Sequence, residues 1–287
     1  MRRDRNVWLT AFAWVTYAFL FAPIVILILF SFNDSKRNFV WRGFTLRWYP
    51  ELFSDDALIH ALGVTLQVAL VAVVVTTILG TLLGLGLARL RSGAGGAAAD
   101  TLILLPMVSP EVVTGISLLL FFAIVFNAHG SMLQIAAAHI AFSISYVAII
   151  VRARAVSLDP RMEEAARDLG ASAIGAFLHV TLPLLAPAVA AGAMIAFALS
   201  FDDLIITSFN AGVGSSTLPL YIYSRIRFGV TPEINAISTI IVGVTAIAIL
   251  VALRVSARRT RLRAAKPDMR PGHQPQELRH GRGTTPA

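Results

Sequence analysis

Long apolar runs separated by short polar segments dominate the chain. Each run is about as long as the roughly 20 residues that a helix needs to cross the hydrocarbon core of a bilayer. The runs cover about 8–32, 58–90, 101–126, 132–151, 184–209 and 235–253. The pattern therefore predicts an all-α membrane protein with six transmembrane helices.

The first apolar run, 8–32, is predicted to stay attached as a span. It is longer than the apolar region of a signal peptide, and no small-residue cleavage site follows it. The polar segment behind it contains Trp41, Trp48 and Tyr49, aromatic residues that are typical of a membrane interface.

Small residues follow one side of the second run. Thr76, Gly80, Gly84 and Ala88 recur at intervals of four, which places them on one face of a helix. Such a stripe allows a second helix to approach closely. The alternative is a merely flexible helix that faces lipid.

The polar insert between the fourth and fifth runs predicts two short helices. Asp159 is a good N-cap, Pro160 suits a first helical position, and Gly170 can end the helix in a left-handed conformation. Ser172 can cap a second helix with one apolar face. That face comprises Ile174, Phe177 and Leu178. By periodicity alone, an ordinary amphipathic interfacial loop explains the insert equally well.

Composition restricts the class of protein. The chain is 56% hydrophobic with a mean hydropathy of +0.74, which excludes a soluble globular domain. It has no cysteine, so disulfides and thiolate metal sites are excluded. Its only lysines, Lys36 and Lys266, do not belong to a phosphate-binding loop. We therefore expect no cofactor and no ATPase site in this chain.

Basic residues predict the orientation. If both termini, the 91–100 loop and the 152–183 loop share one side, that side holds 18 of the 24 basic residues. By the positive-inside rule, it is the cytoplasmic side. The charge of +8 thus follows membrane topology, which argues against a nucleic-acid partner.

Three acidic residues interrupt apolar runs: Glu111, Asp202 and Asp203. A carboxylate facing lipid is costly, so such residues normally face a bundle interior or water. Helical rise puts Glu111 about 15 Å deep and Asp202 roughly 27 Å along its span, near the outer mouth. Charge at two depths favours a path for a cation. Alternatively, the aspartates pair with Arg225 and Arg227 or cap broken helices.

Other site chemistries find little support. The six histidines show no ligand spacing, so no metal site is expected, and His139 and His179 are interpreted as structural. Asp202 and Asp203 cannot form the dyad of an intramembrane protease, because adjacent residues diverge by about 100° on a helix. A membrane-embedded hydrolase is therefore disfavoured.

The insert resembles the EAA motif of ABC importer permeases in residue types, spacing and position between spans. The matching residues are Glu164, Ala165, Ala166 and Gly170, followed by Val180, where the family often has Ile, and by Thr181, Leu182 and Pro183. The resemblance covers about 60–255 and implies the type I importer permease fold. It also implies that loop 159–183 is the coupling helix that docks on an ATPase subunit. Its coupling residues would be Glu164, Ala165, Ala166, Gly170 and Pro183.

Further residues resemble the second permease of spermidine/putrescine-type importers. They are Ser200 to Asp203, Thr207 to Phe209, Leu218-Pro219, Pro232 to Ala236, and Ser109 to Glu111, where that group often has Asp. The resemblance implies a polyamine or a related cationic solute, with Glu111, Asp202 and Asp203 along its path. A non-polyamine solute, or a secondary carrier driven by an ion gradient, are the alternatives.

The expected organisation has three regions. Residues 1–57 form a span and an extracytoplasmic loop, 58–255 form the transmembrane core, and 264–287 form a disordered cytoplasmic tail. The resemblance implies a bacterial inner membrane location and four kinds of contact. They are a second permease in a heterodimer, two ATP-binding subunits, an extracytoplasmic solute-binding protein, and membrane lipid.

Overall fold

The computed structural model describes residues 7–35, 40–90, 94–227, 229 and 231–264, and helices account for most of them. In chain order the helices are α1 (Val7–Phe30), α2 (Trp48–Leu52), α3 (Asp56–Arg89), α4 (Ala94–Val108), α5 (Glu111–Phe126), α6 (Met132–Val156), α7 (Arg161–Asp168), α8 (Ala173–Ala176), α9 (Leu182–Phe201), α10 (Ile205–Asn210), α11 (Leu218–Ile226) and α12 (Pro232–Ala264). A π-helical turn, Phe177–Thr181, joins α8 to α9. The predicted disordered tail lies outside the described residues from position 265 onward.

The all-α membrane architecture confirms the prediction, and the described residues account for four or five of the six predicted spans. Within the described parts of the chain, four helices are long and apolar enough to cross a membrane: α1, α3, α6 and the continuous helix Ala173–Phe201. A fifth span results if α4 and α5 are taken together, although they are bent by 105°. Helix α12 begins with an apolar section, Pro232–Ile247, and its apolar sequence continues to Leu253. The sixth span therefore stays a prediction.

One predicted boundary is wrong. The span expected from Leu184 belongs to a helix that begins at Ala173, because the π-helical turn continues the helix through Pro183. Pro106 lies inside α4. The bend follows at Pro110, the residue before α5.

By its internal contacts the chain divides into residues 1–236, which contain α1 to α11, and residues 237–287. In the first unit, α3, α6 and α9 pack together around buried Val147. The small-residue stripe of α3 lies in this contact, as predicted. A Cβ added at Gly80 would be 2.7 Å from Val147 Cβ, and one at Gly84 would collide with the Ala148 carbonyl oxygen. These glycines therefore allow α3 and α6 to touch.

The segment after α1 folds on itself. Trp48 is 2% exposed, and its Nε1 donates a hydrogen bond of 2.8 Å to the Asn33 carbonyl oxygen. The Tyr49 hydroxyl is 2.9 Å from Ser31 Oγ. An interfacial role is therefore wrong for Trp48, whose ring holds this segment together, whereas Trp41 is half exposed. The apolar helix α1 has an exposed surface throughout, as a lipid-facing helix would.

Candidate functional site

The loop between α6 and α9 is built by short-range capping. Asp159 Oδ1 accepts a hydrogen bond from the Arg161 N–H at 3.0 Å, and α7 starts at Arg161, one position later than predicted. Gly170 has a φ of +91°, which confirms the predicted left-handed end. Ser172 Oγ accepts from the Gly175 N–H at 3.1 Å, which confirms the second cap.

The predicted coupling residues lie together on this loop, and most of them are exposed. Glu164, Ala165, Gly170 and Pro183 are exposed, whereas Ala166 is half-buried. Apolar side chains beside them are exposed too. Leu169, Ile174 and Leu178 are 90%, 72% and 48% exposed, while Phe177 is half-buried. A partner protein that covered these apolar side chains would remove them from water, which is favourable. The surface therefore suits a protein partner.

Sequence reasoning missed Glu163. Its Oε2 accepts hydrogen bonds from Arg89 at 2.5 Å and from Thr181 Oγ1 at 3.2 Å, and its Oε1 accepts from Arg167 at 2.8 Å. The spacing of four between Glu163 and Arg167 was visible in the sequence. The contact with Arg89, 74 positions away, was not.

Asp203 is held in the break between α9 and α10. Its side chain is 8% exposed, and its Oδ2 accepts hydrogen bonds from Thr207 N–H at 2.7 Å and Thr207 Oγ1 at 2.8 Å. Its Oδ1 accepts from Ile206 N–H at 3.3 Å. The alternative that an aspartate caps a broken helix therefore fits Asp203.

His139 supports Asp203 from α6 and was not recognised as its partner. The ring is buried; Nε2 lies 3.1 Å from Asp203 Oδ2 and 3.1 Å from Thr207 Oγ1, and Nδ1 lies 2.8 Å from Ser200 Oγ. A lone histidine in an apolar run gave no signal for this contact, although the geometry agrees with a structural histidine. His179 is exposed, with Nδ1 2.9 Å from the Gly175 carbonyl oxygen.

The suggested pairing of the aspartates with arginines is wrong. Arg225 instead bonds Asp55 at 3.4 Å, and Arg227 donates to the Tyr223 hydroxyl at 3.2 Å. The Tyr221 hydroxyl donates to Asp55 at 2.6 Å. Partial burial raises the pKa of Asp55, but these hydrogen bonds, the Leu58 N–H and the charge of Arg225 outweigh it and hold the pKa below its usual value.

Asp202 differs from its neighbour. The residue is exposed, and no hydrogen bond or ion pair joins its carboxylate to another residue that the structure describes. Because Asp203 is engaged and Asp202 is not, only Asp202 of the pair presents a free carboxylate at the end of α9.

Glu111 is the first residue of α5, at the 105° bend, and its side chain is exposed. The predicted depth of Glu111 assumed one straight helix from the start of the span. That depth does not apply, because the chain bends between α4 and α5, just before Glu111. No bond within the described part of the chain joins Glu111 to Asp202. One turn further on, however, α5 contacts α10: Asn210 Nδ2 donates to the Gly115 carbonyl oxygen at 3.3 Å. A Cβ at Gly115 would be 2.8 Å from Phe209.

The described residues contain no group of three or more His, Asp or Glu side chains that could hold a metal ion.

Comparisons with known proteins place these features in context. A family model described as binding-protein-dependent transport system inner membrane component matches residues 80–262. The putrescine transport system permease protein PotI of Escherichia coli K12 is 41% identical over 259 residues, covering 88% of this chain and 92% of PotI. The spermidine/putrescine transport system permease protein PotC of Haemophilus influenzae is 38% identical, with coverages of 87% and 96%.

The fold also has a solved counterpart. A chain of a bacterial ABC transporter involved in the import of alginate has a TM-score of 0.68 and 18% identity, covering 90% of this chain and 96% of that one. At this identity the likeness concerns the fold alone.

Proposed function

Because the chain belongs to the family of binding-protein-dependent transport system inner membrane components, a family of multi-pass transport permeases rather than enzymes, we propose that it imports a polyamine. It acts as one permease subunit of an ATP-driven importer. The observation that carries the solute class is 41% identity with a permease named for putrescine transport over 88% of the chain. The free carboxylate of Asp202 supports a cationic solute, since an ammonium leaving water needs a charged partner.

Loop 159–183 is the proposed docking site for the ATPase. Its exposed acid Glu164, the turn at Gly170 and the exposed apolar residues beside them give this loop a surface that a partner protein can contact. ATP hydrolysis by the partner subunits would move this loop, and the spans would follow. The full assembly comprises this chain, a second permease, two ATP-binding subunits and an extracytoplasmic solute-binding protein.

The proposed orientation has both termini and this loop in the cytoplasm, as the distribution of basic residues favours. A reporter fused after Arg261 is expected to read cytoplasmic, and one inserted near Val213 extracytoplasmic. The opposite pattern would reverse the proposed orientation and separate the loop from a cytoplasmic ATPase.

The test of the function is uptake by the reconstituted complex. Proteoliposomes containing the two permeases and the two ATP-binding subunits should accumulate putrescine or spermidine only when ATP and the solute-binding protein are supplied. They should not accumulate a neutral polyol. Uptake by the permeases alone, driven by an ion gradient, would instead support the secondary carrier. ATP-dependent uptake of a neutral or anionic solute would overturn the polyamine assignment and leave the importer assignment standing.

A further inference from the structure

One carboxylate connects three elements on the face that carries loop 159–183. Glu163 is the third residue of α7 and bonds Arg89, Arg167 and Thr181. Arg89 is the last residue of α3, and Thr181 is the last residue of the π-helical turn. We call these four residues the Glu163 cluster.

The carboxylate at the centre of the cluster is less exposed than the two arginines that bond it. The Glu163 side chain is 19% exposed, whereas those of Arg89 and Arg167 are about half exposed at 52% and 51%. Thr181 is buried. A carboxylate partly removed from water requires donors, and bonds to charged donors are the stronger kind. The arrangement therefore fixes the side of α7 that faces α3.

The neighbouring acid points elsewhere. Glu164 follows Glu163 on the same helix, is exposed, and has no side-chain partner within the described parts of the chain. Adjacent helical positions diverge by about 100°, so the two acids address different surroundings. Glu164 is available to a partner protein, and Glu163 is engaged within this chain.

The backbone does not connect loop 159–183 directly to α3. The loop follows α6 and leads into α9, so a displacement reaches these two helices through the backbone. Helix α3 packs along α6 at Gly80 and Gly84, and its end meets α7 at Arg89. The Arg89–Glu163 ion pair thus ties the end of α3 directly to the loop.

We propose that the Glu163 cluster transmits movement of the loop to α3, which makes Glu163 a positioning residue for coupling. The inference rests on the proposed function, in which this loop docks on an ATPase. Without the cluster, the ATPase still binds the exposed surface around Glu164 and still hydrolyses ATP. The end of α3 then follows the loop less closely, and fewer solute molecules cross per ATP.

The experiment measures radiolabelled putrescine uptake and phosphate release in the same proteoliposomes of the full complex. Glu163→Gln and Arg89→Gln should each lower the uptake-to-ATP ratio at least about fivefold, the lower end of typical coupling between sites. The amount of co-purified ATPase should stay unchanged. The double variant should be no worse than either single variant, because both remove one interaction. The exchange Glu163→Arg with Arg89→Glu should recover part of the ratio.

Glu51→Gln is the matched control, since it makes the same chemical change at an exposed position of α2. Its ratio should equal that of the wild type. A wild-type ratio in Glu163→Gln, additive losses in the double variant, or loss of ATPase association would each overturn the inference. None of these results would affect the proposed function, because the wild-type complex would still couple uptake to ATP hydrolysis. Uptake by the wild type without any ATPase would overturn the proposed function and this inference together.

Discussion

Loop 159–183 and the break between α9 and α10 are both sites where the helical pattern is interrupted, but they are stabilised differently. The loop is held largely by neighbours in sequence: Asp159 accepts from the Arg161 N–H at the start of α7, Gly170 turns the chain, and Ser172 caps α8. At the break, Asp203 depends on His139, 64 positions earlier in the chain. The loop exposes its predicted residues, whereas the break buries one of two adjacent acids. The local bonds of both interruptions can thus be read from sequence, whereas contacts across helices, such as that of His139 with Asp203, cannot.

The largest effect should come from the turn of the loop. Gly170→Pro should reduce ATP-coupled uptake by about a hundredfold or more, because proline cannot adopt a φ of +91° and loses the N–H that bonds the Arg167 carbonyl oxygen. Gly170→Asn should retain most uptake, since asparagine tolerates this conformation. Glu164→Lys should fail like the proline variant. Membrane insertion should be normal in all three. Wild-type uptake and ATPase association in Gly170→Pro would show that the loop is not the coupling element.

At the break, Asp202→Asn should lower polyamine uptake roughly ten- to a hundredfold, the cost of one charge-assisted hydrogen bond to the solute. Glu111→Gln is expected to act in the same direction. Affinity of the solute-binding protein should not change, because its site is on another chain. Radiolabelled uptake and equilibrium binding measure the two quantities. Normal uptake in both variants would make the acids structural.

Stability should separate the two aspartates. Asp203→Ala should lower the free energy of unfolding by about 1–3 kcal/mol, because the first N–H groups of α10 and His139 lose their partner. Asp202→Ala, its matched control, should leave stability nearly unchanged. Thermal unfolding in detergent compares them. Equal shifts for both variants would remove the distinction between an engaged and a free acid.

The α3–α6 contact offers a comparison of two glycines. Gly84→Ala should destabilise the protein by about 1–3 kcal/mol, since the added Cβ collides with the Ala148 carbonyl oxygen. Gly86→Ala should be neutral or slightly stabilising, because nothing lies within 4 Å of its Cβ. Unfolding midpoints of the two variants in the same detergent test this, and equal midpoints would contradict the close contact.

The smallest effect concerns pH at Asp55. Its pKa is lower in the folded state, so its contribution to stability is complete above the ordinary carboxyl pKa of about 3.9. The contribution is lost as the pH falls through the lower folded value. The difference in unfolding midpoint between wild type and Asp55→Asn should therefore be constant from pH 7 to about pH 5 and shrink in stronger acid. If the difference in unfolding midpoint grows as the pH falls, the pKa of Asp55 is raised on folding and not lowered.

The helical class, the glycine stripe and the caps of the loop could be predicted, because each depends on residues spaced within one helix or turn. The continuity of this helix from Ala173 through Pro183 could not, since Pro183 normally signals a helix start and a π-helical turn has no sequence signature of that strength. Partners such as Arg89 for Glu163 and His139 for Asp203 depend on how separate helices pack. Trp48 was misplaced for the same reason, because its partner Asn33 is brought to it by the fold.

The π-helical turn also changes which way the helix that contains it faces. In an unbroken α-helix, Ile174, Leu178, Thr181 and Leu185 would align in one stripe, since spacings of three and four return to the same face. In the structure Ile174 and Leu178 are exposed, while Thr181 and Leu185 are buried. A π-helical turn holds an additional residue, which offsets everything after it by about 100° relative to an α-helix. One continuous helix can thereby present an apolar edge outward at its start and another inward along its length, so the docking surface and the bundle core need not compete for the same stripe.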